Sequence, residues 1–224
     1  IKLQYAPEAL KGNRHVVYEA VCENGMALQY ANAYLRADKG VVLAAVASWW
    51  QAYVFAHPSL QHDKEVCLVA VGKASGAAYA NALLPVEMRA VPEVALAALA
   101  HGGPPPHAES DVWPAVPPSL RADPSFVRAA IGVDGTLLQQ VPSAQQSYAV
   151  VLAAVTQCGR AIQFAPDRLC ADRTIGLAAV RHDRGGGCND AALRFLSTDL
   201  RDDTQLVLVA VAVNGHALRF ASAR

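Results

Sequence analysis

The chain has 224 residues, room for one large domain or two modest ones. It is 53% apolar but only 7% aromatic, which implies a thin core of Ala and Val that lets backbones approach closely. Nineteen basic and nineteen acidic side chains cancel, leaving no basic stripe for nucleic acid, and Asp38, Asp63, Asp123, Asp172 and Asp203 interrupt every apolar run before the ~20 residues that span a bilayer.

Self-similarity appears at once. Residues 3–27, LQYAPEALKGNRHVVYEAVCENGMA, align without a gap on 28–52, LQYANAYLRADKGVVLAAVASWWQA, and residues 53–77 continue in phase, so the period is close to 25. A fourth copy begins at Tyr79-Ala80-Asn81, spreads around Pro85 and Pro92, and closes at Leu96-Ala97-Ala98-Leu99. Residues 102–118, GGPPPHAESDVWPAVPP, then read as a Pro/Gly-rich linker or loop. The motif resumes at Leu120-Arg121-Ala122-Asp123 and runs through copies near 137–161, from Ile162, and at 193–217. This gives a first array over 1–101 and a second over 119–224, each of four repeats. A single array with a projecting loop is the alternative.

Within a repeat, Asp38 precedes Lys39-Gly40-Val41-Val42-Leu43-Ala44-Ala45-Val46, and Asp63, Asp123, Asp172, Asp203 and Asn13 take the same place. A short side-chain oxygen there caps a helix. The spacing of Val42, Ala45, Val46 and Trp49 is helical rather than alternating, which sets aside a Val-rich strand. Gly25, Gly135, Gly159 and Gly215 fall where a left-handed residue would close the helix. A second helix such as Ala27 to Arg36 follows, with Tyr30, Tyr5, Phe55, Tyr79, Phe164, Phe195 and Phe220 as one aromatic per repeat, read as the knob that packs one repeat on the next. The expected fold is all-α, an α-solenoid of helix-turn-helix repeats.

A motif of Asp, a Val-Val-Leu-Ala-Ala-Val helix, Asn-Gly-x-Ala-Leu-x-Tyr-Ala and Leu-Arg-x-Asp, carried in part by Asn24-Gly25-Met26-Ala27-Leu28-Gln29-Tyr30-Ala31 and Asn214-Gly215-His216-Ala217-Leu218-Arg219-Phe220-Ala221, resembles domain of unknown function 4116. That repeat family belongs to protists, algae, large viruses and some intracellular bacteria. The resemblance covers most of the chain outside 100–118 and implies a helical-repeat fold with no catalytic residues to carry over. The sequence departs from it at Pro85, Pro92 and Pro118, and at the inserted Arg184-Gly185-Gly186-Gly187-Cys188.

Chemistry is sparse. The glycine cluster at 185–187 lacks the Lys-Ser or Lys-Thr of a phosphate loop, so no nucleotide or other cofactor is expected. The seven histidines and five cysteines show no metal spacing. Cys22 with His15 and Cys67 with His62 fall on repeat positions better explained by packing and capping. Cysteines that are odd in number and widely spaced imply reduced thiols in an intracellular, reducing compartment, an organelle being one option. Both ends lie within a repeat, as in a piece of a longer array or a processed chain.

Trp49-Trp50 stands where the motif has Asn-Gly, and Trp113 lies in the Pro-rich segment beside the PxxP of Pro114-Ala115-Val116-Pro117. These three tryptophans are the candidate partner contacts. The expected role is a non-catalytic protein–protein interaction scaffold or an accessory subunit of a larger assembly. The alternative is a repeat region of an enzyme or effector whose catalytic domain lies elsewhere.

Overall fold

The structure, a computed structural model, describes residues 3–74, 79, 83–101, 112–183 and 191–221, and among these residues eight long α-helices carry it. They are α1 (Arg14–Glu23), α2 (Lys39–Ser48), α3 (Lys64–Lys73), α4 (Pro92–His101), α5 (Pro124–Val133), α6 (Tyr148–Gln157), α7 (Arg173–Arg181) and α8 (Thr204–Val213). No strand occurs among the described residues. By internal contacts the chain divides into two halves, Ile1–Leu120 and Arg121–Arg224.

Each expected capping residue is in place. Asn13, Asp63, Asp172 and Asp203 each accept from two backbone amides of the first turn, while Asp38 and Asp123 each accept from one. Four of the repeats begin their long helix with a cation, and that cation reaches one repeat onward. Arg14 pairs with Asp38, Lys39 with Asp63 and Arg173 with Asp203, each at 2.8 Å, while Lys64 meets Glu93 at 2.7 Å. The capping carboxylates thus bind their own helix and the repeat before it. Their cationic partners hold the carboxyls of Asp38, Asp63 and Asp203 below the usual carboxylate range.

The long helices bury one face in a fixed pattern. Val41, Val42, Ala45 and Val46 of α2 are buried, as are Val66, Cys67, Ala70 and Val71 of α3 and Val150, Val151, Ala154 and Val155 of α6. Small residues at these places let α1, α2, α3 and α4 pack in succession in the first half, and α5, α6, α7 and α8 in the second.

The second element of the repeat differs from the expected α-helix. Gly25–Tyr30, Trp50–Phe55, Gly135–Gln140, Gly159–Phe164 and Gly215–Phe220 are six-residue 3-10 helices. A further single helical turn, such as Pro58–Gln61 or Asp167–Cys170, leads to the next cap. The repeat is therefore a long helix, a 3-10 helix and a tight connection rather than a pair of α-helices. With three residues per turn, positions three apart eclipse. Gly25, Leu28 and Ala31 accordingly form one buried line, as do Gly135, Leu138 and Val141.

That geometry changes the role of the glycines and aromatics. At the described junctions before the 3-10 helices no left-handed residue closes the long helix: Asn24, Asp134, Cys158 and Asn214 are extended, with φ of −149°, −137°, −142° and −138°. The glycines after the first three are required by proximity instead. A Cβ on Gly25 would stand 2.2 Å from the Ala45 carbonyl oxygen of the next repeat, one on Gly159 2.1 Å from that of Ala179, and one on Gly135 2.6 Å from that of Ala154. The periodic aromatic is not a buried knob. Tyr30, Phe55, Phe164, Phe195 and Phe220 are half-buried and Tyr5 is exposed, because each lies two residues past the eclipsed core position. The knobs are Leu3, Leu28, Tyr53, Leu138, Ile162 and Leu193, all fully buried.

Tyr79 belongs to the knobs, out of phase with the aromatics it resembles in sequence. It is fully buried and its hydroxyl donates to the Arg89 carbonyl at 2.6 Å, just as the Tyr53 hydroxyl donates to the Gln61 carbonyl at 2.5 Å. Burial raises both phenol pKa values far above the ordinary range. Gln61, Gln146 and Cys170 reach back from the connections to carbonyls of the preceding 3-10 segment. One backbone bond then ties connection to connection: Asn32 to Lys11, His57 to Arg36 and Ser197 to Cys170.

The segment read as a linker over 102–118 is partly folded. Residues 102–111 lie outside the described residues, but Val112–Ala115 is a one-turn helix packed on α4, and Pro118–Ala122 is a second helical turn. Proline is tolerated there because a first turn needs no amide donor. Pro92 and Pro124 open α4 and α5 for the same reason. The PxxP stretch thus begins in a helix instead of an extended ligand conformation. The Arg184–Cys188 insertion lies outside the described residues.

Candidate functional site

Five long helices pass into a 3-10 helix through a single extended residue, Asn24, Trp49, Asp134, Cys158 or Asn214, and where it is Asn or Asp its side chain caps that 3-10 helix. Asn24 accepts from the Met26 amide at 3.0 Å, Asp134 from that of Thr136 at 2.9 Å and Asn214 from that of His216 at 3.1 Å. Trp49 holds this place in the second repeat, and no side chain caps the Trp50–Phe55 helix there. An indole carries a donor and no acceptor, so the substitution gives up a cap contribution of about 1 kcal/mol. It also leaves a large aromatic surface 50% exposed.

Beside Trp49 lie two adjoining clefts. One, of about 390 Å³, is lined by Glu23, Asn24, Met26, Ser48 and Trp49. The other, of about 270 Å³, runs from Asn24 and Met26 to Tyr5, Gln29 and Tyr30. Asn24 and Met26 line both, so a single depression extends from Tyr5, which is 77% exposed, across Met26 to Trp49. An exposed Trp and Tyr flanking an adaptable Met, with amide and carboxylate side chains at the margin, is the composition of a protein-contact surface.

The three tryptophans are not brought together as one surface. Trp50 opens the 3-10 helix and is half-buried. Trp113 is only 3% exposed and sits in the turn that covers α4, so its indole completes the core of the first half. Tyr5, Met26 and Tyr30, which do line the depression, carried a signal in the repeat, since Tyr5 and Tyr30 stand at the periodic aromatic position. Only the 3-10 geometry turns that position outward.

The Cys67–His62 pair considered from sequence finds other partners. Cys67 is buried with its Sγ 3.4 Å from the Gln61 carbonyl and 3.6 Å from the Tyr53 hydroxyl, and burial pushes the thiol pKa up, away from a reactive thiolate. His62 turns Nδ1 to the Pro58 carbonyl at 2.9 Å. Among the described residues no three His, Cys, Asp or Glu side chains gather as a metal site, and no helix is long and apolar enough to cross a membrane.

Two stretches of the chain, residues 2–36 and 150–184, match the model of a family described as a domain of unknown function, DUF4116. The first contains α1 and its 3-10 helix, and the second most of α6, the 3-10 helix after it and α7. No curated protein and no solved structure matches the chain.

Proposed function

We propose that the chain is a non-catalytic interaction scaffold: repeats stacked as an α-solenoid, with a protein partner seated in the depression between Tyr5 and Trp49. The observation that carries this reading is Trp49 itself. The repeat that caps its 3-10 helix with Asn24, Asp134 and Asn214 forgoes the cap at Trp49, as it does at Cys158, and at Trp49 it places a half-exposed indole there. A broken local rule with no gain inside the fold points to a function outside it. The charge arrangement favours protein over nucleic acid, because Arg14, Lys39, Lys64 and Arg173 are engaged with carboxylates of neighbouring repeats.

The test is comparative capture. Wild-type chain and Trp49→Asn are immobilised in parallel, and bound proteins are quantified by mass spectrometry. A stoichiometric partner retained by the wild type and lost from the variant, whose circular dichroism and melting are intact, supports the reading. Identical captured sets, or none, would overturn it.

A further inference from the structure

The aromatic position of the repeat occurs in two settings. In the second half an arginine precedes the ring twice, and each guanidinium lies over its neighbour: Arg194 is 5.6 Å from the centroid of Phe195 and Arg219 is 5.3 Å from that of Phe220. Both arginines are exposed and both rings half-buried. The quadrupole of the ring attracts the charge, and the flat guanidinium stacks on it while its N–H groups stay in water. In the first half Gln4 precedes Tyr5 and Gln29 precedes Tyr30. A glutamine brings no charge, and among the described residues no cation stacks on Tyr5, Tyr30 or Trp49.

Those rings line a depression whose other features suit a positive charge. α1 ends at Glu23 and α2 at Ser48, and both residues stand in its wall. Two helix C-termini therefore bring partial negative charge to it, and Glu23 adds a carboxylate to the cleft that Trp49 lines. Among the described residues no Lys, Arg or His lines either cleft. Arg14 and Lys39 begin the same two helices, roughly 13 Å away along the axis, and Asp38 and Asp63 hold them there.

We infer that the protein partner, on the scaffold reading above, enters this depression with arginine side chains. One guanidinium stacks on Tyr30, in the manner of Arg194 on Phe195, and another lies on the exposed Trp49 indole beside the Glu23 carboxylate. Arginine fits better than lysine, because an ammonium is compact and more strongly hydrated. An acidic segment would meet Glu23 and the negative helix ends as like charges. The attraction is carried by exposed groups, so it weakens with salt.

The probe is a fluorescein-labelled peptide of alternating Gly and Arg, titrated with the whole chain and followed by anisotropy beside the same peptide with Lys or Gln in place of Arg. The expected result is saturable binding of the arginine peptide, about fivefold weaker binding of the lysine peptide and none of the glutamine peptide. Binding should weaken severalfold as NaCl is raised from about 0.05 to about 0.5 M. Gln29→Arg gives Tyr30 a guanidinium from its own chain and should weaken the arginine peptide about fivefold. Gln163→Arg adds the same charge before Phe164, outside the depression, and should leave binding unchanged. Arginine is native at this repeat position in Arg194 and Arg219, so both variants should keep wild-type circular dichroism and melting. Absence of saturable binding, equal binding of the arginine and glutamine peptides, or equal weakening by the two variants would overturn the inference. A partner captured by the wild type and lost from Trp49→Asn, with no arginine peptide bound, would remove the arginine and leave the scaffold.

Discussion

Replacing Gly159 by alanine tests the packing of repeat on repeat with a single methyl group. That methyl would lie 2.1 Å from the Ala179 carbonyl oxygen, 2.8 Å from the Asp183 amide nitrogen and 2.9 Å from the His182 carbonyl carbon, all of them backbone. None can rotate aside, so α7 must shift away from the 3-10 helix. Overpacking of a well-filled interior costs about 1–3 kcal/mol, while glycine-to-alanine in helical backbone returns about 0.5–1 kcal/mol. The net expectation is a loss of roughly 1–2 kcal/mol, read as a fall in urea midpoint at unchanged slope. Gly215→Ala is the matched control, with the same substitution at the same repeat position and open space around it. It should be neutral or slightly stabilising. Equal midpoints for the two variants would refute the claim that these glycines serve close approach.

Trp49→Asn should restore the cap that Asn24 makes one repeat earlier and raise stability by about 0.5–1 kcal/mol in urea unfolding; a clear loss would mean that the indole holds the fold. Asp38→Asn keeps an oxygen for the Val41 amide but removes the pairing with Arg14, so its midpoint should fall slightly at low salt and match the wild type in 1 M NaCl, where exposed pairs are screened. Because the carboxyls of Asp38, Asp63 and Asp203 titrate lower folded than unfolded, their stabilisation is complete above the unfolded carboxylate range near pH 4 and disappears as pH falls through the folded values. A pH series of urea midpoints that stayed flat below pH 4 would contradict this. Cys67 and Cys170, both buried with thiol pKa values raised chiefly by desolvation, should resist alkylation in the native chain and react on unfolding, as peptide mapping would show. Exposed Cys22 should be modified in both states.

The repeat period and the start of six of the long helices were written in short stretches of sequence. A capping oxygen acts on amides two or three residues away, so Asp38, Asp63, Asp123, Asp172 and Asp203 declare their role without reference to anything distant. The buried Val and Ala pairs declare theirs by spacing alone. The cation ladder was also present, as the recurring Asp-Lys and Asp-Arg, yet each ion pair joins residues 24 to 30 positions apart and becomes visible only when repeats are stacked.

Other features depended on the neighbouring repeat. Leu28 and Ala31 are three apart, a spacing common to α and 3-10 helices, so the sequence could not tell which would form. That choice sent Tyr30 to the rim of a cleft and Leu28 into the core. Gly25 and Gly215 occupy identical sequence surroundings, Asn-Gly followed two residues on by Ala-Leu, yet one is pressed against a carbonyl and the other is open. Local sequence determined the caps and the repeating helices, because their energetics close within a turn or two of chain. Tertiary structure alone decided which glycine is crowded, which tryptophan is buried and which leucine faces solvent, because burial belongs to the space between repeats.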